Sequence, residues 1–233
     1  AQEAVRIAIR YMTPVMLLSD GYLANAAERW RIPRIDDLEP LPVEYAQDSA
    51  DFSPARRDPE TLARVWARPG TPGLEHRIGG IETNYDSGDI SYDHANHKKM
   101  TEMRIGKVAG IVKDIPLQEV DLGEDSGKLA VVGWGSTYGA IHQGVKRARL
   151  EGHAVSHIHV RYLNPLPENL GELLGRFDSV LVPEMNTGQF ARLLRAEYLL
   201  DAEILSKVSG QPFKIGEILA AIHAKCREVE AVQ

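Results

Sequence analysis

The stretch Val131 to Gly144, VVGWGSTYGAIHQG, carries an apolar strand into a glycine-rich turn and then a helix. Turns of this kind can present backbone N–H groups at a helix N-terminus to a phosphate. Its glycines Gly133, Gly135 and Gly139 read G-x-G-x-x-x-G, one residue longer than the dinucleotide fingerprint. That fingerprint also wants a carboxylate at the end of the next strand to bind a ribose, and HVRYLNP offers Arg161 instead. A nicotinamide site therefore fits poorly. The alternative is a tight strand-to-helix turn: Gly133 and Gly135 make the bend, Ser136 or Thr137 caps the helix, and Gly139 allows close helix–sheet packing.

A second stretch, PEMNTGQF, follows an apolar run and opens another helix. Glu184, Asn186, Gly188 and Gln189 thus fall at the carboxyl end of a strand, where open α/β sheets bind ligands or meet partners. Equally, the stretch can be a capped turn with Thr187 as the cap. Asp93, His94 and His97 could be metal ligands, but no third ligand follows at metalloenzyme spacing, and DHANHKK reads better as a solvated helix start. Lys146, Arg147 and Arg149 form an ordinary charged face. There is no P-loop and no G-x-S-x-G elbow. The single cysteine, Cys226, excludes a disulfide framework, a cysteine zinc site or an all-cysteine iron–sulfur cluster within this chain. It lies on the apolar face traced by Ile215, Ile218, Leu219, Ile222 and Val229, as buried filler.

These residues need elements to hold them. Ala1 to Pro33 opens with helical periodicity at Val5, Ala8, Ile9 and Met12, and Val15 to Leu18 reads as a short strand buried on both faces. A helix and one buried strand cannot make a sheet, so residues 1–33 read as the last αβ unit of a larger domain. Residues 34–126 are polar and irregular and hold seven of the thirteen prolines, the pattern of an extended connector. Within them, DPETLARVW predicts a short helix capped by Asp58, LEHRIGGIE a strand with a glycine bulge, YDSGD a turn, and the chain from Asp93 a helix. Residues 127–233 alternate strands and helices, which predicts a right-handed parallel α/β sheet.

Composition bounds the partners. The 233 residues are 43% hydrophobic and 26% charged, the profile of a globular protein. A net charge of −6 argues against nucleic acid or an anionic membrane as the main partner. No apolar run approaches the roughly 20 residues of a membrane span, the N-terminal sequence is not a signal peptide, and cysteine usage suits the cytoplasm.

VLVPEMNTGQFARLLRAEYL, KLAVVGWGSTYGAI and VRYLNPLPENL together closely resemble the C-terminal, transketolase-like domain of 2-oxoacid:ferredoxin oxidoreductase alpha subunits, nearest the 2-oxoglutarate type. TPVMLLSDGYLANAAERW resembles the end of the same subunit's thiamine pyrimidine-binding domain, and ARPGTPGLEHRIGG and SYDHANHKKM its connector. Ala27 and Arg29 depart from the pattern, which expects a smaller residue and a proline. The resemblance implies oxidative decarboxylation of a 2-oxoacid to its acyl-CoA, with electrons passed to ferredoxin. It implies thiamine diphosphate with Mg²⁺ and a 4Fe-4S cluster, both held mainly by a beta subunit and neither by this chain alone. SDG with Asn25 close behind is too short for the diphosphate–Mg²⁺ motif, and one cysteine cannot hold a cluster. The glutamate that activates the thiamine would lie upstream, so no catalytic residue and no metal ligand is carried over, and the chain alone is expected to be inactive. Asp20, Gly21 and Asn25 are expected near the assembled active site, with Glu184, Asn186, Gly188 and Gln189 at an interface or on the approach to it. The competing readings are an E1 beta-like component serving a lipoyl carrier and a non-catalytic packing domain.

Overall fold

The computed structural model describes residues 1–50 and 52–231, with only the backbone for 229–231. The expected place of Val229 on the apolar face therefore lies outside the described side chains. In chain order the helices are α1 (Gln2–Tyr11), α2 (Gly21–Ala24), α3 (His94–Gly110), α4 (Tyr138–Leu150), α5 (Leu170–Leu174), α6 (Gln189–Tyr198) and α7 (Ile215–Ala231). The strands are β1 (Gly127–Gly133), β2 (Val155–His159), β3 (Phe177–Glu184) and β4 (Ala202–Ser206). The chain divides into two units, Ala1–Leu17 with Arg29–Ile115, and Leu18–Glu28 with Pro116–Gln233.

The first unit is built around two helices and much irregular chain. α1 buries Ile7 and Tyr11, and the Tyr11 hydroxyl donates to the Gly110 carbonyl (3.3 Å). Burial, followed by the neighbouring Asp114, pushes that phenol up to about 12. α3 starts where expected, with the Asp93 carboxylate accepting from the Ala95 and Asn96 amides. The buried Asn96 then anchors the preceding loop, accepting from the Tyr85 amide (2.8 Å) and donating to the Thr83 carbonyl (3.0 Å). The YDSGD turn forms, closed by the Asn84 side chain over the Asp86 and Ser87 amides.

Three expected elements in this unit do not form. Val15–Leu18 is extended but unpaired, and Met16, Leu17 and Leu18 face solvent. An apolar run needs strands on both sides to be buried in a sheet, and every strand among the described residues lies between Gly127 and Ser206. The helix at Asp58 stops after one turn. Asp58 accepts from the Glu60 and Thr61 amides as a cap should, but Leu62 adopts φ +55°, and the chain turns away into an isolated bridge between Arg57 and Arg64. LEHRIGGIE is no strand: Gly79 and Gly80 sit at φ +97° and +102°, a left-handed pair that a ladder cannot accommodate.

The second unit is the parallel α/β sheet expected, in the order β2-β1-β3-β4 with all pairs parallel. Its strands are buried on both faces because helices cover both. On one side Ala130, Val132, Ile158, Val180 and Val182 pack against α5 and α6 through Leu170, Leu174, Phe190 and Leu194. On the other, Leu129, Val131, Val155 and Leu181 pack against α4 and α7 through Ile141, Val145, Ile218, Ile222 and the buried Cys226. Burial of this kind stabilises by roughly 25 cal/mol per Å² of apolar surface. The fourth strand, β4, was not legible as an element beforehand. Beyond β2 the Leu122 segment adds one antiparallel bridge to His157.

Candidate functional site

Strand order locates the site. The chain leaves β1 for β2 on one side and then passes to β3 on the other, so the connections diverge at β1 and β3. A crevice opens beyond the carboxyl ends of two strands at such a switch point, and open α/β folds use it for ligands. Here it is flanked by the two stretches singled out above, the turn after β1 and the turn after β3.

The turn after β1 is tight for identifiable reasons. A Cβ on Gly133 would collide with Ile141 Cδ1 and stand 2.9 Å from Thr137 Oγ1, and Gly135 lies at φ +58°. Both glycines are required as expected. The capping expectation fails: the Thr137 hydroxyl donates backwards to the Trp134 carbonyl (2.8 Å), so it pins the turn rather than capping α4. Ser136 instead hydrogen-bonds the Asp20 carboxylate. Nothing approaches Gly139, so the close packing assigned to it belongs to Gly144, where a Cβ would meet Ile218 Cγ2 at 2.7 Å.

Asp20 also accepts from the Leu23 amide (3.0 Å) and so starts α2. The Ser136 hydroxyl first, and the Leu23 amide second, hold its carboxyl below the ordinary aspartate range. Gly21 opens the same short helix, and Asn25 closes it by donating Nδ2 to the Gly21 carbonyl (2.7 Å).

After β3, Glu184 is wholly buried at 0% exposure. Its Oε1 accepts from the Ala191 amide (2.9 Å) and its Oε2 from the Phe190 amide (2.9 Å), Asn186 Nδ2 (2.9 Å) and Trp134 Nε1 (3.3 Å). A buried carboxylate is tolerated only when donors surround it, and the positive end of α6 adds to them. Asn186 Oδ1 accepts from the Gly188 (2.7 Å) and Gln189 (3.0 Å) amides and closes the turn, Gly188 is the N-cap, and Glu184 takes the next two amides, so Thr187 is not the cap. Gly188 sits at φ +88° with Ile204 where a Cβ would be, at 2.6 Å. Of the four residues only Gln189 leaves its side chain in solvent.

Trp134 is the residue sequence reasoning missed. Its indole joins the two turns, through Glu184 and through a tilted contact with Phe190 at 6.4 Å. An N–H-bearing aromatic at a strand end beside a buried acid was the signal available. Two hydrogen-bonded groups thus flank the switch point, Asp20 with Ser136 beside the β1 turn and Trp134 with Glu184 and Asn186 across to the β3 turn. Both oxygens of Glu184 are already engaged by protein donors.

A second polar group escaped notice. His157 and His159 on β2 stand beside Tyr138 and His142 of α4, with ring centroids 4.9–6.0 Å apart. Burial first, then His159 and His142, lowers His157 to about 3, and burial likewise lowers His159. In the first unit Asp93 is spent as the helix cap, and His97 pairs with Glu82 at 2.7 Å, which suits the solvated helix start.

The second unit is thus a parallel α/β sheet covered by helices on both faces, with these two turns at its switch point. The family described as "Pyruvate flavodoxin/ferredoxin oxidoreductase, thiamine diP-bdg" matches residues 1–93. The chain is 49% identical to 2-oxoglutarate oxidoreductase subunit KorA of Mycobacterium tuberculosis, over 99% of this chain and 36% of that protein. It is 27% identical to 2-oxoacid:ferredoxin oxidoreductase 1, subunit alpha, of Aeropyrum pernix, over 95% of this chain and 36% of that one. Its fold matches 2-oxoglutarate:ferredoxin oxidoreductase from Magnetococcus marinus, solved with 2-oxoglutarate, coenzyme A and succinyl-CoA bound, at a TM-score of 0.87 and 26% identity, over 95% of this chain and 39% of that chain. Along its whole length the chain is thus a relative of 2-oxoacid:ferredoxin oxidoreductase alpha subunits, the family its sequence resembles. It spans 36% of the length of each of these two curated relatives.

Proposed function

We propose that this chain is the alpha-subunit portion of a thiamine diphosphate-dependent 2-oxoglutarate:ferredoxin oxidoreductase, which forms succinyl-CoA and passes electrons to ferredoxin. The observation that carries the proposal is the 49% identity over 99% of the chain to a 2-oxoglutarate oxidoreductase alpha subunit.

The expected cofactors do not fit the described residues of this chain. Its one cysteine is buried within the α7 packing, so a 4Fe-4S cluster has no ligand set here. Asp20 and Asn25 stand at the two ends of the four-residue α2, a spacing too short for the diphosphate–Mg²⁺ motif, and Asp20 is already held by Ser136 and Leu23. We assign both groups to a beta subunit, and no catalytic step to the residues of this chain. Its own contribution is the two hydrogen-bonded groups at the switch point, Asp20 with Ser136 and Trp134 with Glu184, a preorganised surface on which the catalytic partner and the substrate's approach are aligned. Gln189 is the side chain beside them left free to reach out.

The test is turnover of the alpha subunit bearing this sequence together with its beta subunit, supplied with 2-oxoglutarate and CoA. Reduction of ferredoxin or a viologen is expected. Acylation of a lipoyl domain without ferredoxin reduction would replace the reading with an E1-type component. Absence of any turnover, with the subunits still associated, would leave a packing domain.

A further inference from the structure

We propose that Glu151, His153 and His223 form a binding site for a divalent transition metal ion of the zinc type on the outer face of the sheet unit. The ligand atoms of the three residues all lie within 4.8 Å of one another. His223 Nε2 stands 2.6 Å from Glu151 Oε2, and the His153 and His223 rings face each other at 5.1 Å with a tilt of 46°. Two imidazoles and one carboxylate are a borderline-soft set, which favours zinc, nickel or copper over magnesium or calcium. Three protein ligands with water completing the shell is a recurrent zinc arrangement.

The fold brings the three together by fixed means. Gly152 at φ +96° ends α4, and the Gly152 and His153 amides return to the Arg149 (3.1 Å) and Ala148 (3.0 Å) carbonyls. That closed turn sets Glu151 and His153, two residues apart, on one side of the helix end. α7 lies tight against α4 because Gly144 leaves room for Ile218. His223 follows the buried Ile222, so it stands at the shoulder of that contact, 30% exposed and open to an incoming ion. An ion pair alone would account for Glu151 and His223, as a weak surface contact. It does not account for the second imidazole, whose ring nitrogens have no hydrogen-bond partner among the described residues. Around a tetrahedral ion with bonds of about 2.0–2.1 Å, neighbouring ligand atoms stand about 3.3 Å apart, a spread that small rotamer changes provide here.

The full chain, cleared of metal with a chelator and titrated with Co²⁺ and then Zn²⁺, tests this. One equivalent of Co²⁺ should give a visible d–d band that Zn²⁺ abolishes, and Zn²⁺ should raise the thermal midpoint. His153→Ala and His223→Ala should each weaken binding by more than the roughly 10- to 100-fold typical of losing an outer hydrogen-bond partner. His94→Ala, at a solvated histidine elsewhere, should change nothing. Absence of stoichiometric binding overturns the site, as does binding that survives both histidine substitutions. His153 lies outside the core, so its variant keeps the test valid should His223→Ala fail to fold.

Discussion

At the scale of single residues, Glu184 and Gln189 look alike in sequence and do opposite things. Glu184 collects four donors in the interior, whereas Gln189 contributes only its backbone amide to the Asn186 turn. Each buried donor left unpaired costs roughly 1–3 kcal/mol. Glu184→Ala is therefore expected to lower stability by about 3 kcal/mol or more in urea unfolding, whereas Gln189→Ala stays within about 0.5 kcal/mol. If Gln189→Ala also lowers turnover of the assembled enzyme, the loss is functional, because stability is not in play. His157 makes a second residue-scale prediction. Its folded pKa of about 3 lies below the ordinary histidine value near 6.5, so the unfolded chain takes up the proton first. Stability is then fully present above about pH 6.5 and falls as pH drops toward the folded value. His142, His159 and Tyr138 face this ring, and Asp121 and Arg161 act on His159. His157→Leu should flatten the fall in urea midpoint between about pH 7 and pH 5.

At the scale of elements, two glycines of one helix separate packing from propensity. Gly144 faces Ile218 so closely that a methyl group has nowhere to go, and Gly139 faces open space. Gly144→Ala should cost about 1–3 kcal/mol by forcing α4 and α7 apart. Gly139→Ala should add up to about 1 kcal/mol through helix propensity alone. Thermal unfolding of the two variants reads both signs. This contrast also marks what was legible beforehand. β1, β2, β3, α4, α5, α6 and α7 announce themselves because apolar period and glycine turns agree. Val15–Leu18 carries the pattern of a buried strand without the neighbours that would bury it. β4 is a short edge strand whose alternation, AEILS, is too brief to stand out. The position of Glu184 at a strand end is legible in the sequence, yet its role as acceptor for the first-turn amides of α6, for Asn186 and for a distant indole is one that only tertiary structure reveals. Glu151, His153 and His223 are scattered in sequence and become neighbours only when α4 meets α7.

At the scale of the whole molecule, one short span of chain holds six of the strongly exposed large apolar residues. Met16, Leu17 and Leu18, with Trp30, Ile32 and Ile35, are all more than 60% exposed within twenty residues of chain. Exposed apolar side chains of this kind mark contacts that the described residues do not supply. The chain alone is expected to sediment as a mixture of species at micromolar concentration. Leu17→Ser with Ile32→Ser should shift it toward monomer without moving the thermal midpoint, because neither side chain belongs to a core. A monodisperse wild-type chain would show that this surface is satisfied internally.

The indole that ties the β1 and β3 turns together also makes the molecule self-reporting. Trp66 belongs to the first unit, where its Nε1 donates to the Ile9 carbonyl (3.0 Å), and Trp134 belongs to the second. With Trp30 replaced by Phe, each unit carries its own intrinsic fluorophore in a distinct polar setting. The emission of Trp134 is then a direct optical gauge of the Glu184 turn, and would register any ligand or partner that reorganises it.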